Sequence, residues 1–149
     1  IGAIRLLIAF ICNHFHYVNA IIDRLVRDAI ALQQRCINTL SIMPNDYHSY
    51  PEDSPENMVA FINRHHIPFP YLIDETQQVA KAYAAVCTPD FFGLNAEGKL
   101  HYRGRLDDVK METGDNRQPE LLEAMIKVAE SGQGPEHQIP SMGCSIKWK

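Results

Sequence analysis

The residues most able to do chemistry lie in one short polar segment near the start of the chain. The segment follows an apolar run and reads Cys12-Asn13-His14-Phe15-His16. A helical pattern begins directly after it, so a thiol here lies near a helix N-terminus, whose dipole stabilises a thiolate and makes the sulfur a better nucleophile. Cys12 is therefore the first candidate for a reactive thiol. The sequence equally supports a buried cysteine at a strand end that acts as a small hydrophobic residue.

The same segment has an alternation that is typical of metal ligands. Cys12, His14 and His16 would point to one side of an extended chain, where they could bind zinc or copper. No fourth ligand accompanies them at a recognisable spacing, so we predict that no metal is bound here. We also predict no organic cofactor, because the chain has no glycine-rich phosphate loop. Redox chemistry would then depend on sulfur alone.

Three further cysteines are scattered along the chain without a C-x-x-C pair, at Cys36, Cys87 and Cys144. This spacing argues against a zinc ribbon and against a dense disulfide scaffold. Cys87 precedes Thr88-Pro89, which begins a predicted strand and has either a cis or a trans peptide bond. Cys144 lies in the C-terminal tail, residues 132–149, which either packs on the domain or moves. A mobile tail would let Cys144 approach Cys12.

Three elements must position the polar segment. Residues 4–11 are almost all apolar, as in a central parallel strand that is covered on both faces. Apolar residues between Val18 and Ile30 then recur at the spacing of an amphipathic helix, whose wet side would carry Asp23, Arg24, Arg27 and Asp28. A second strand over residues 37–43 completes a right-handed parallel crossover. The polar segment thus lies at the carboxyl end of the strands, where open α/β sheets bind ligands.

The rest of the chain predicts helix, strand, helix, hairpin and helix. A helix begins at Ser54-Pro55-Glu56, and a capping-box pattern at residues 74–77 opens another. The remaining predicted elements are a short strand over residues 71–73, a hairpin over residues 90–95 and 99–103, and a helix from Pro119 to just before Gly132. This order predicts an α/β, thioredoxin-like fold with a central mixed β-sheet flanked by helices.

Length, charge and hydropathy limit the partners of the chain. Its 149 residues fit one domain, residues 1–149, and a net charge of −4 with interspersed signs argues against nucleic acid. The apolar run at residues 4–11 is about half the roughly 20 residues that span a bilayer and contains Arg5, which argues against a membrane. We expect a cytoplasmic protein. The chain opens on Ile1 rather than methionine, so an export signal upstream stays open.

Seven strings that run almost to the C-terminus match one known family, at residues 10–14, 50–56, 68–72, 74–77, 86–92, 102–108 and 143–148. These strings resemble the bacterial thioredoxin-like and peroxiredoxin-like proteins of the alkyl hydroperoxide reductase and thiol-specific antioxidant superfamily, the redoxins. The resemblance implies a thioredoxin-like fold and either thiol–disulfide exchange or peroxide reduction. The family usually begins with further strands before residue 4, and we expect this chain to lack that segment.

The reactive turn departs from the pattern of the resembled family. That pattern is C-N-H-C-P-Y-V, whereas this chain reads Cys12-Asn13-His14-Phe15-His16-Tyr17-Val18. The resemblance therefore implies that Phe15 occupies the position of the usual nucleophilic cysteine. A phenylalanine cannot attack a peroxide or a disulfide.

Two functions follow from this substitution. In the first, which we expect, antioxidant thiol chemistry persists through Cys12, with Cys87 or Cys144 as the resolving thiol. Its partners would be protein thiols and disulfides or small peroxides, a homodimer is a candidate assembly, and the substrate site would be lined by Asn13, His14, Phe15, Thr88 and Pro89. In the second, the chain is a redox-inactive binding protein with the same fold. An accessible Cys12 with a depressed pKa would favour the first, and a buried neutral thiol the second.

Overall fold

The structure is a computed structural model that describes residues 5–112 and 116–149. Its elements, in chain order, are β1 (Arg5–Phe10), α1 (His16–Gln33), β2 (Ile37–Met43), α2 (Pro55–His65), β3 (Tyr71–Ile73), α3 (Gln78–Ala82), β4 (Cys87–Thr88), β5 (Asp90–Leu94), β6 (Leu100–Gly104), α4 (Glu120–Ser131) and β7 (Cys144–Ser145). None of the helices in these two ranges is long and apolar enough to cross a bilayer.

Five strands form one mixed sheet in the order β3-β2-β1-β5-β6. Strand β1 is central, as predicted, but it is parallel only to β2 and runs antiparallel to β5. Because side chains alternate along a strand, Leu7 and Ala9 enter the main core with α1 and α4, while Ile8 and Phe10 enter a smaller core on the other face. The predicted α/β fold with a mixed, helix-flanked sheet is confirmed. Ile4, which the predicted strand included, lies outside the described residues.

Helix α1 buries two charged residues that the sequence places in water. Arg24 and Asp28 are only 6% and 2% exposed, whereas Ile30, predicted to face the core, is 43% exposed. Arg24 Nε donates a hydrogen bond to Asp107 Oδ2 at 2.8 Å, and Arg117 bridges the carboxylates of Asp28 and Asp107. The wet-side prediction was therefore wrong at Arg24 and Asp28, because the segment after β6 folds back over this side of the helix and supplies charged partners.

Helices α2 and α3 differ in how well the sequence predicts their starts. The Ser54 hydroxyl accepts a hydrogen bond from the Asn57 N–H, so α2 begins where the sequence predicts. The capping box predicted at residues 74–77 does not form, since Gln77 has φ of 64° and no side-chain cap. Instead the Asp74 carboxylate accepts the N–H groups of Val79 and Ala80, and α3 is only five residues long.

The hairpin and the last helix cover the other half of the sheet close to their predicted bounds. Strands β5 and β6 pair antiparallel, with an irregularity at Gly93/Leu94. Helix α4 ends at Gly132, whose φ of 77° lies in the left-handed region that favours glycine. Its buried side chains, including Leu121 and Met125, join the main core beneath α1.

The C-terminal end of the tail packs against the domain. Strand β7 pairs antiparallel with β4, so that Cys144 is opposite Thr88. Ile146 is buried in the smaller core. Gly143 lies so close to β4 that a Cβ atom there would overlap the Thr88 carbonyl oxygen. Of the two tail conformations left open by the sequence, the packed one is found, and it reaches the carboxyl edge of the sheet.

Candidate active site

Cys12 lies just beyond β1, at the edge of the sheet that the sequence singles out. Its side chain is fully buried, and its Sγ is 3.3 Å from the Thr88 Oγ1. The backbone N–H groups of His14 and Phe15 are also directed at the sulfur. The polar segment, residues 12–16, therefore folds around the thiol of Cys12. Thr88, which lies 76 positions later in the sequence, also contacts this thiol.

Burial raises the pKa of the Cys12 thiol to about 12. Loss of solvent is the largest cause, since it disfavours the charged thiolate, and the negative charge of Asp53 adds to the increase. Hydrogen bonds from Thr88, Phe15 and His14 act in the opposite direction but are too weak to reverse it. Near neutral pH Cys12 is a protonated thiol. The geometry matches the buried strand-end cysteine that the sequence offered as its second interpretation.

Asp53 is the site residue that sequence reasoning missed. Its side chain is fully buried at the end of a short 3₁₀ turn, Pro51–Asp53. The carboxylate accepts hydrogen bonds at 2.9 Å from three donors, namely Asn13 N, His14 Nδ1 and Asn45 Nδ2. The only signal in the sequence was that residues 50–56 belong to a string that resembles the redoxins.

The structure changes the set of residues that surround Cys12. Cys12 Sγ, a ring nitrogen of His14 and a carboxylate oxygen of Asp53 all lie within 4.8 Å of one another. His16, the third member of the alternating group in the sequence, is exposed and is not part of this cluster. The alternation in the sequence therefore identifies Cys12 and His14 as members of the cluster but does not identify Asp53.

Phe15 takes the position that the resemblance assigns to a nucleophile. It is the residue before α1, with extended backbone angles and no side-chain cap. Its ring is half-buried, with a centroid 4.1 Å from the His14 ring and 4.8 Å from Lys147 Nζ. Phe15 thus contributes an aromatic cover that it shares with the tail.

Thr88 lies beside the Cys12 sulfur, and Pro89 directly follows Thr88. The Thr88–Pro89 peptide bond is cis, which was one of the two alternatives left open by the sequence. Cys87 and Cys144 are partly buried, and all four cysteines are free thiols. Burial, with a further contribution from the Asp90 carboxylate, raises the pKa of Cys87 to about 11. Cys144 contacts the site because its backbone pairs with that of Thr88. In the described part of the chain, no hydrogen bond links Cys87 to Cys12.

Asn45 connects this site to the tail. Its Nδ2 donates to Asp53 Oδ2, and its Oδ1 accepts the N–H of Lys147 at 3.0 Å. The Lys147 carbonyl in turn accepts hydrogen bonds from Asp46 N and Gln77 Nε2. The buried carboxylate and the tail are consequently held by the same amide side chain.

Comparison with known proteins agrees with this geometry. Residues 5–103 match the model of the AhpC/TSA family. A conserved protein from Geobacillus kaustophilus is 45% identical, and the alignment covers 97% of this chain and 77% of that protein with a TM-score of 0.89. A protein from Sinorhizobium meliloti 1021 is 36% identical over 97% of this chain and 80% of its own, with a TM-score of 0.88.

More distant structures agree on the fold alone. A thioredoxin-like protein solved in its oxidised form has 16% identity and a TM-score of 0.66 over 86% of this chain and 79% of its own. No protein with a curated description matches the chain. The family match covers most of the chain and the structural likeness nearly all of it. The chain therefore belongs to the AhpC/TSA family of redoxins and has a thioredoxin-like fold.

Proposed function

We propose that the protein is a thiol–disulfide oxidoreductase in which Cys12 is the reacting sulfur. The observation that carries the proposal is the surroundings of that sulfur. The N–H groups of His14 and Phe15, just before α1, and the Thr88 hydroxyl are directed at Cys12, and the backbone of Thr88 pairs with Cys144. Hydrogen bonds of this kind stabilise a thiolate once the proton has left. Membership of the AhpC/TSA family supports the same class of chemistry.

The reaction would proceed by two exchanges. Cys12 gives its proton to solvent and attacks one sulfur of a substrate disulfide, so that a mixed disulfide forms and the other sulfur leaves as a thiolate. Cys144 then gives up its proton and attacks the Cys12 sulfur, which releases the second substrate thiol. The two leaving thiolates take up protons. One substrate disulfide is reduced, and Cys12 and Cys144 are oxidised to a disulfide that an external thiol reduces again.

Substrate access requires part of the cover over Cys12 to move, because its sulfur has no exposed surface. The substrate would then meet Asn13, His14 and Phe15 on one side and Thr88-Pro89 on the other. The tail is the element best placed to move, since it is held by the two-residue β7 strand and by hydrogen bonds on Lys147. A protein disulfide is the favoured substrate, and small peroxides are the alternative oxidant.

Trapping the intermediate tests the proposal. Reduced wild-type chain, Cys12→Ser and Cys144→Ser are each treated with a small aromatic disulfide, and separately with hydrogen peroxide, and followed by intact mass and peptide mapping. We expect wild type to form a Cys12–Cys144 disulfide and Cys144→Ser to accumulate a mixed disulfide on Cys12. Cys36→Ser is the matched control, because Cys36 is exposed on the turn after α1 and its loss should leave formation of the Cys12–Cys144 disulfide unchanged. Equal reaction of Cys12→Ser and wild type would refute the proposal.

One observation favours a second candidate function. A fully buried thiol with a pKa of about 12 is the state that a redox-inactive scaffold would have. If neither oxidant modifies Cys12 while the exposed Cys36 reacts, the protein keeps the fold for binding rather than for thiol chemistry. The same experiment therefore separates the two candidates.

A further inference from the structure

Three residues of the site offer three different kinds of metal ligand. Cys12 supplies sulfur, His14 an imidazole nitrogen and Asp53 a carboxylate oxygen, and these atoms lie within 4.8 Å of one another. Cys12 and His14 come from the turn after β1, whereas Asp53 lies 39 positions after His14. The fold thus supplies the additional ligand that the local spacing of cysteine and histidine lacked.

The separation of these atoms is close to that around a tetrahedral ion. Zinc bonds of about 2.0–2.3 Å place neighbouring ligand atoms about 3.3–3.6 Å apart. The His14 and Asp53 atoms are already 2.9 Å apart. An ion between them requires the side chains to adjust, and His14 has the most freedom to do so, since its side chain is 24% exposed whereas that of Asp53 is fully buried.

The surroundings of the three side chains also resemble the outer shell of a metal site. The Asp53 carboxylate is oriented by Asn13 N and Asn45 Nδ2, and the Cys12 sulfur is oriented by Thr88 Oγ1. Outer hydrogen bonds of this kind fix the direction of ligands and increase metal affinity. Of the three side chains, only that of His14 has exposed surface, so a fourth ligand such as a water would have to approach the ion beside His14.

We propose that Cys12, His14 and Asp53 form a binding site for a divalent ion of the zinc class. Thiolate and imidazole ligands favour zinc and disfavour magnesium and calcium, which prefer oxygen alone. On binding, Cys12 loses its proton to solvent, a His14 ring nitrogen turns its lone pair to the ion, and the hydrogen bond between His14 and Asp53 is replaced by two metal bonds. The bound ion occupies the Cys12 sulfur, so metal binding and thiol exchange exclude each other.

This site does not depend on the proposed function, and a spectroscopic test keeps the two separate. The chelator-treated, reduced chain is titrated with Co²⁺ under anaerobic conditions, and the thiolate-to-cobalt charge-transfer band is recorded before displacement by Zn²⁺. We expect one ion per chain, loss of the band in Cys12→Ser, and affinity at least about tenfold weaker in His14→Ala. Bound Zn²⁺ should also protect Cys12 from iodoacetamide. None of these readouts requires redox activity.

Two control variants separate the cluster from adventitious binding. His16→Ala removes an exposed histidine two positions from His14, and Cys36→Ser removes an exposed thiol. Both should bind Co²⁺ as wild type does. Wild-type chain that binds no Co²⁺ or Zn²⁺, or His14→Ala that binds as tightly as wild type, would overturn the proposal. His14→Ala is the decisive variant, because His14 is 24% exposed while Cys12 and Asp53 are fully buried, so its removal disturbs the core least of the three.

Discussion

The ammonium group of Lys147 lies 4.8 Å from the centre of the Phe15 ring. This cation–π contact joins the end of the tail to the turn that holds Cys12. The Lys147 backbone adds three hydrogen bonds, to Asn45, Asp46 and Gln77. The tail therefore packs on the turn that holds the buried thiol, and we expect the reactivity of Cys12 to depend on how firmly the tail is held.

Gly143→Ala should loosen the tail and expose Cys12. The added methyl group would overlap the Thr88 carbonyl oxygen, so β7 must move away from β4. We expect iodoacetamide to label Cys12 on the order of tenfold faster, which corresponds to about 1.4 kcal/mol in the free energy of local opening. Peptide mapping after timed labelling measures the rate. Glu136→Ala, at an exposed position of the tail far from β7 in sequence, is the control and should leave the rate unchanged.

The labelling rate of Cys12 should rise steeply with pH. Burial raises the pKa of this thiol from 9.0 to about 12, so the thiolate fraction increases about tenfold for each pH unit in the neutral and mildly alkaline range. If iodoacetamide attacks the closed protein, the labelling rate should keep rising above pH 9.0. If it attacks only after local opening, the labelling rate should level off near pH 9.0, the ordinary pKa of the thiol. A rate that is independent of pH between about 7 and 9 would contradict the raised pKa.

The same shift should make stability depend on pH. Between pH 9.0 and about 12 the unfolded chain releases the Cys12 proton while the folded chain keeps it. The free energy of unfolding should therefore fall as the pH rises through this range, because the unfolded state binds fewer protons. Denaturant titrations of wild type and Cys12→Ser measure the effect. The variant should lack this part of the pH dependence.

Asp53→Asn should destabilise the fold more than a surface change does. The carboxylate is fully buried and accepts three hydrogen bonds, and the amide nitrogen of an asparagine would face donors instead. We expect the free energy of unfolding to fall by about 2–3 kcal/mol, as measured by urea denaturation. Glu52→Gln is the matched control, because Glu52 is exposed and contributes only its backbone carbonyl to Asn13. Equal stability of the two variants would contradict the role given to Asp53.

Phe15→Cys should create a thiol pair across the turn. The introduced sulfur would stand at the N-terminus of α1, three positions after Cys12, where the helix dipole lowers a thiol pKa. We expect a reversible disulfide under mild oxidation and dithiothreitol-dependent reduction of insulin on the order of tenfold above wild type. Phe15→Ser removes the ring without adding a thiol. If Phe15→Ser reduces insulin as fast as Phe15→Cys does, the faster reduction is explained by exposure of Cys12 and not by a second sulfur.

Local signals in the sequence determined most elements of this fold. The apolar run of β1, the spacing of α1, the Ser54 cap and the Gly132 terminus each depend on residues a few positions apart, and each is found close to its predicted place. The position of Cys12 just beyond β1 was evident for the same reason. The strings that resemble the redoxins also indicated the family, which the match over residues 5–103 confirms.

Only the tertiary structure decided the state of the site. Asp53 reaches His14, and the tail covers Phe15, through contacts between residues far apart in the sequence. Burial of Arg24 beside Asp107 is a contact of the same kind. Whether a thiol is a nucleophile or a buried neutral group depends on solvent access and on the charges around it. Those quantities are set by how distant segments pack, and no local pattern in the sequence records them.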